Sequence, residues 1–401
     1  MHFEHSQERR MLAQSLSRYI EAHYSGGVER FSPLAPNESR LLEHWRQFAD
    51  LGAIGALFDP NDGGYGGAAF DIMVVFEALG GGLVAAPFLA SLMAGRVLSA
   101  CGGDKARTLI EGLIEGRSLV TLAHCEPDGS WQPARVGVRA RRRNHGWVLD
   151  GVKAAVPYGA QADWIVVSAR TAGTDTDDAG ISLFLVPKEV PGLTVHEYPA
   201  IDGERSAELR LQGLELGPDA LLGTQDQGLL ALEQGIGCGV MAVCAEAVGA
   251  MDVVLSSTLD YLKTRRQFDT VIGHFQALQH RMADMMIAVE QSRSAVINAA
   301  AHFGAGRLLR EKHLCAAKFT VGTAATRIAQ ECIQMHGGMG MTWELPVSHY
   351  ATWLAMANFR LGDEDSHLSR YVALARQQAW PRAYPRSPAK KASAFSCRPS
   401  M

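Results

Sequence analysis

The spacing of apolar residues changes period twice along the chain. From about Glu8 to Ala100 they recur at helical intervals, as in Met11, Leu12, Leu16, Tyr19 and Ile20 and again in Leu42, Trp45, Phe48 and Leu51. That pattern puts one apolar stripe on each helix. Between about Leu119 and Leu222 the pattern shortens to runs with alternate or full burial: Trp147-Val148-Leu149, Trp164-Ile165-Val166-Val167 and Ile181 to Val186. These predict strands, with Asp150-Gly151 as a two-residue hairpin turn and Thr171 to Gly180 as a polar connection. From about Gly228 helical spacing returns in long segments, with Phe275, Leu278, Met282, Met285, Met286 and Val289 on one face. Two glycine-rich stretches, Asp62 to Gly67 and Gly80 to Gly82, are predicted to be loops between the early helices. The order helices, strands, helices predicts an α+β chain, and 401 residues exceed what one hydrophobic core usually organises. The expected parts are a helical domain over 1–118, a middle β domain over 119–222 and a helical bundle over 223–380. A tail over 381–401, rich in proline, serine and basic residues, is expected to be disordered.

Charge and cysteine content narrow the setting. A formal net charge of -4 provides no basic excess for a phosphate backbone, so nucleic acid is not an expected partner. The cysteines (Cys101, Cys125, Cys238, Cys244, Cys315, Cys332, Cys397) are scattered and lack the paired spacing of a zinc site or a redox dithiol. No metal is expected, and a reducing, cytoplasmic setting fits best. The N-terminal residues mix charges among apolar positions, so no signal-peptide core is expected. No other stretch is expected to supply the roughly 20 apolar residues of a membrane helix.

The glycine cluster at Gly63 to Gly67 does not sit between a strand and a helix, so it reads as a turn and not as a dinucleotide or phosphate loop. Two later segments carry more chemistry. One runs Tyr261-Leu-Lys-Thr-Arg-Arg-Gln-Phe268 and continues through Ile272-Gly-His-Phe-Gln-Ala-Leu-Gln279 to Met285; the other is Gln334-Met-His-Gly-Gly-Met-Gly-Met-Thr342. Arg265 offers a permanently charged fork suited to a pyrophosphate. Gln267 and Phe268 add an amide and a flat apolar face, and Gln334 a further amide. Gly337 and Gly338 let backbone N–H groups approach a phosphate closely. Taken singly, Arg265 also suits a solvated surface ion pair, and the glycine pair a helix end.

Both segments resemble signature regions of acyl-CoA dehydrogenases, and the three-part order is similar to that fold over nearly the whole chain. The resemblance implies an N-terminal all-α domain, a middle β-barrel-like domain and a C-terminal four-helix bundle. It also implies FAD as cofactor. Arg265, Gln267, Phe268, Phe275, Gln334, Gly337 and Gly338 would meet the adenosine and pyrophosphate half of a flavin bound mainly by a neighbouring subunit, hence an oligomer. The implied reaction is α,β-dehydrogenation of an acyl-CoA thioester, with electrons passed to an electron-transfer flavoprotein. A narrower similarity lies in Cys244-Ala-Glu-Ala-Val-Gly-Ala-Met251 and in Tyr261 to Met285. It is to the small subunits of bacterial heteromeric enzymes of the pimeloyl-CoA dehydrogenase type, which implies a second acyl-CoA dehydrogenase subunit as an alternative to a homo-oligomer.

That reaction needs a carboxylate to take the α-proton. Of the two positions where the family carries it, one corresponds to Leu361, twenty-seven residues after Gln334, and the other to Gly239, twenty-two before Tyr261. Neither is an acid. Glu246, about 10 Å farther along nearly the same helical face, and Asp363, with Asp365 close by, are the remaining candidates. Each also reads as an ion-pairing or solvated structural acid. In the β domain the family's Thr-Glu-Pro-Gly-x-Gly-Ser-Asp segment corresponds to Cys125-Glu-Pro-Asp-Gly-Ser130, and its Trp-x-Thr pair to Ala155 and Pro157, beyond Gly151 and Lys153. A ring-covering aromatic and a hydrogen-bonding hydroxyl are missing. Arg360 is one of several cations that recognition of a dicarboxylyl substrate would call on. The chain therefore reads either as a complete but unusual flavin enzyme or as a partner subunit that lends Arg265 and Gln334 to a flavin on another chain. A third reading on the same fold is an acyl-CoA oxidase or flavin monooxygenase.

Overall fold

The computed structural model describes residues 5–24, 38–128 and 131–379. The expected tail over 381–401 lies outside them, as do Gly129 and Ser130. Among the described residues five helices come first: α1 (Gln7–His23), α2 (Glu38–Asp50), α3 (Ala69–Gly82), α4 (Phe88–Cys101) and α5 (Asp104–Ile114). Leu16 and Ile20 of α1, and Trp45 and Phe48 of α2, form buried parts of the stripes read from the sequence. Trp45 and Phe48 meet Phe88 edge-to-face, with ring centroids 5.1 and 5.0 Å away. Gly64 and Gly66 form the expected turn, where a side chain would strike the carbonyl oxygens of Phe58 and Ala56. Gly80 to Gly82, in contrast, are not a loop. They complete α3, and the missing side chain of Gly80 lets that helix lie backbone to backbone on a later one: a Cβ there would fall 1.9 Å from the Glu246 carbonyl oxygen.

The middle of the chain is a mixed sheet: β1 (Val120–Ala123), β2 (Arg139–Arg143), β3 (Gly146–Pro157), β4 (Trp164–Arg170), β5 (Ile181–Pro187), β6 (Leu193–Pro199), β7 (Arg205–Leu216) and β8 (Leu221–Leu222). Its path runs β6-β7-β3-β2-β4-β5-β8, with β1 parallel to β4. Asp150-Gly151 is not the hairpin turn. The turn falls at Asn144-His145, where Asn144 adopts φ 55°, a conformation Asn tolerates better than most residues. Asp150-Gly151 instead marks a register shift inside β3, and the Asp150 carboxylate accepts the Gly213 N–H across it at 2.7 Å.

Five helices follow: α6 (Leu229–Thr264), α7 (Gln276–His302), α8 (Arg307–His336), α9 (Pro346–Ala357) and α10 (Glu364–Ala379). By length and composition alone α6 would cross a membrane, contrary to the expectation that no stretch approaches that mark. Its apolarity has another cause. Residues Gly237 to Met251 are buried without a break, and α3, α4, α7, α8 and α9 all pack on this helix. One core therefore joins the first helices to the last, while a second core inside the sheet is built on residues such as Trp147, Phe184 and Leu209.

Candidate functional site

The two motif segments meet through one pair of side chains. Tyr261, in the last turn of α6, stacks on His336, the last residue of α8, with ring centroids 4.4 Å apart, and its hydroxyl donates to the His336 carbonyl at 3.3 Å. Burial lowers the pKa of His336, so its ring is neutral near pH 7. Neither residue had a role assigned from sequence, although both lie inside the quoted motifs.

Arg265 follows α6 and caps it, its N–H donating to the Tyr261 carbonyl at 2.8 Å. The chain then makes a tight hairpin in which Arg266 and Gln267 pair with Val271 and Thr270. Phe268 and Asp269 at its tip both have positive φ, 55° and 58°. The twist of a two-residue hairpin demands this backbone, and it is costly for a residue with a Cβ. The strained Phe268 is 84% exposed and rests edge-on against Phe275, 6.1 Å away. On α8, Gln334 is exposed and lines an open groove of about 620 Å³ with Ile333, Met341, Trp343 and Ala351. Gly337 has φ 64°, and a Cβ at Gly337 or Gly338 would meet nothing within 4 Å. The exposed Met341, inside the quoted segment, and Trp343, just beyond it, had no role assigned from sequence.

A second set of residues lies where the sheet faces the bundle. Lys153 is fully buried, and its ammonium donates to Glu126 at 2.7 Å, Ser168 at 3.0 Å and the His124 carbonyl at 3.3 Å. Glu126 also accepts the Gly137 and Val138 N–H groups. Burial pushes the Cys125 thiol up to about 11 and His124 down to about 4, so both are neutral at physiological pH. Ala155 sits at another register shift of β3 with φ 50°, and its N–H donates to the Tyr198 hydroxyl at 3.2 Å.

Across from these residues, Leu361 and Gly239 meet. A Cβ on Gly239 would lie 2.7 Å from Leu361 Cδ1 and 2.7 Å from Met93 Sδ. The space between Cys125 and Leu361 is a cavity of about 20 Å³ bounded by His124, Trp131, Gln132, Pro133 and Ile236. A neighbouring cavity of about 40 Å³ is lined by Trp131, Glu233, Glu311, Leu361, His367 and Arg370, among others.

Two of the three candidate acids near this junction are engaged. Asp363 accepts the Ser366 N–H at 2.8 Å and so caps α10; its hydrogen bonds to Ser366 hold its pKa below the ordinary value. Asp365 lies exposed in the first turn of that helix. Glu246 is buried on α6 within electrostatic reach of Arg360. The Arg360 guanidinium pairs with Asp202, through Nε at 3.0 Å and through Nη2, and with Glu204. Burial opposes its charge, but Glu204, Asp202 and Glu246 together raise its pKa. Arg360 is thus spent on this chain's own carboxylates and is not free for a dicarboxylyl substrate.

The description "Acyl-CoA dehydrogenase, middle domain" matches residues 121–214, and "Acyl-CoA dehydrogenase, C-terminal domain" matches residues 226–373. The acyl-CoA dehydrogenase FadE12 of Mycobacterium tuberculosis is 27% identical over 366 residues, 88% of this chain and 92% of its own. The mitochondrial isovaleryl-CoA dehydrogenase of Pongo abelii is 26% identical over 86% of this chain and 83% of its own. A chain of the ChsE4-ChsE5 complex from Mycobacterium tuberculosis superposes with a TM-score of 0.82 at 25% identity, over 96% of this chain and 100% of that one. With both matches lying on the described sheet and bundle, and together spanning more than half of the sequence, the chain belongs to the acyl-CoA dehydrogenase family.

Proposed function

We propose that this chain is the partner subunit of a heteromeric, FAD-dependent acyl-CoA dehydrogenase, supporting a flavin whose ring and catalytic carboxylate belong to another chain. The observation that carries this reading is the space between Cys125 and Leu361. A cofactor-sized pocket needs about 300 Å³ or more, whereas the cavities that the described residues line there are about 20 and 40 Å³, enough for a few waters at most. The residues of this junction do not fit an isoalloxazine ring.

The far end of the bundle fits its part of the cofactor. Arg265, Gln267, Phe268, Gln334, Gly337 and Gly338 are all exposed, beside or beyond two helix ends that Tyr261 and His336 tie together. Arg265 would hold a pyrophosphate by charge-assisted hydrogen bonds. Phe268, steadied by Phe275, would offer its face to the adenine, and the Gly337-Gly338 backbone would approach a phosphate without obstruction. Bound FAD supplies the electron sink for dehydrogenation of an acyl-CoA thioester. The work of this chain is to anchor and orient the adenosine half, because neither Leu361 nor Gly239 can take a proton. The likeness to the ChsE4-ChsE5 complex supports a heteromeric assembly. An electron-transfer flavoprotein as acceptor and a cytoplasmic setting complete the reading.

A visible absorption spectrum of the chain purified alone, before and after anaerobic addition of mixed acyl-CoA esters, tests it. A colourless protein, or a yellow one that never bleaches, is expected. Bound flavin that bleaches would instead make the chain a self-sufficient dehydrogenase with an unconventional base.

A further inference from the structure

The closed junction is held by more than apolar packing. Arg360 belongs to the turn between α9 and α10, whereas Asp202 and Glu204 belong to the turn between β6 and β7, so their ion pairs fasten the bundle to the sheet across 158 residues of sequence. All three side chains are largely withdrawn from water, and the guanidinium also lies 5.8 Å from the centre of the Trp353 ring. The same turn is pinned from the other side. Lys318, 1% exposed, donates to the carbonyls of Ala357 at 3.0 Å, Asn358 at 2.7 Å and Gly362 at 2.7 Å, and the Leu361 carbonyl lies 2.9 Å from His367 Nε2. Leu361 itself is held at φ 57°, a backbone that persists only where the surroundings over-determine it.

A buried ion cluster is a poor source of net stability, since desolvation consumes much of its attraction, but its geometry is directional. Where apolar side chains can slide past one another, a guanidinium shared between two carboxylates fixes the distance between the segments that carry them. Here one segment carries Leu361, a wall of the cavity it shares with Cys125 and Trp131, and the other is a turn of the sheet from whose first strand Cys125 extends.

We propose that Arg360, Asp202 and Glu204 form a latch that keeps this chain's own flavin-ring cleft shut. The proposal rests on the partner-subunit reading for its meaning, but its test does not. Hydrogen–deuterium exchange on the full-length chain is followed in peptides covering 199–206 and 358–364. Two variants are compared with the wild type: Arg360→Met, and Asp202→Asn with Glu204→Gln, which keeps side-chain shape if the first variant fails to fold. Arg293→Met serves as control, because it cuts an ion pair, with Asp252, that is more exposed and lies elsewhere in the bundle.

Exchange in both peptides is expected to rise at least tenfold in a latch variant, with the interior of α6 unchanged and no such rise in the control. Unchanged exchange in a folded latch variant overturns the proposal, as does a rise spread equally over α6 and the sheet. Flavin that the wild-type chain holds and bleaches on its own overturns the partner-subunit reading instead, so the two failures are read from different samples.

Discussion

Leu361 fills the space that Gly239 leaves on α6: a Cβ at Gly239 would stand 2.7 Å from the leucine's Cδ1. By the sequence resemblance these correspond to the two positions at which the family carries its catalytic acid, and here one is an absent side chain and the other the group packed against that absence. Overpacking a closed core typically costs about 1–3 kcal/mol. Gly239→Ala is therefore expected to lower stability by about that much, and the loss should shrink when Leu361→Ala is added. Urea unfolding of the two single variants and the double variant reads the coupling. Strict additivity would show that the two residues do not press on each other.

Arg265→Ala is expected to weaken FAD retention in the proposed heteromer by roughly tenfold to a hundredfold, the range set by about 1.5–3 kcal/mol for a hydrogen bond to a charged group. Ultrafiltration of the purified complex at several salt concentrations measures it. Full retention of flavin would remove Arg265 from the proposed adenosine site.

Phe268→Gly should separate stability from binding. Glycine relieves a left-handed backbone that costs an L-residue about 1–2 kcal/mol, so the melting temperature of the isolated chain is expected to hold or rise. Flavin retention by the proposed heteromer is expected to fall, because the exposed ring is lost. A fall in both would mark Phe268 as part of the packing and not as a ligand-facing group.

Lys318 predicts a pH dependence. Burial lowers its pKa from the ordinary 10.5 to about 8, so between those values the unfolded chain binds the proton that the folded chain has released. The stability contribution of this group accordingly increases as pH rises from about 8 to 10.5 and is lost as pH falls through about 8. Wild type and Lys318→Met, compared by denaturant unfolding across this window, should differ in slope with the wild type steeper. Lys318→Met should also be destabilised at pH 7, by about 3 kcal/mol or more, since three buried carbonyls lose their donor. Parallel slopes would show that Lys318 does not titrate there.

Much of the fold was legible because it depends on periodicity. Leu16 and Ile20, or Ile181 to Val186, lie in the kind of element their spacing predicts, since a stripe or run of apolar residues has few ways to leave water. Local signals that depend on a distant partner were misread. Asp150-Gly151 has turn chemistry, yet a residue pair in β7 draws it into a bulge. Gly80 reads as a breaker until α6 is known to lie against it. The apolar length of α6 was missed altogether. At the site, counting from Tyr261 and Gln334 located Gly239 and Leu361, but nothing in the order of residues indicates that the two touch or that Arg360 reaches Asp202. Such contacts are set by how the sheet docks on the bundle.

The backbone contact between α3 and α6 bears on how the chain comes into being. Gly80 and Gly249 place each helix within van der Waals reach of the other's main chain, yet the whole β domain is synthesised between them. At ordinary rates of translation, α3 waits on the order of ten seconds for its partner to leave the ribosome. Throughout that interval the face that α6 will cover has no permanent cover, which makes the nascent N-terminal helices a predicted client for chaperones and the stage of biogenesis most exposed to aggregation.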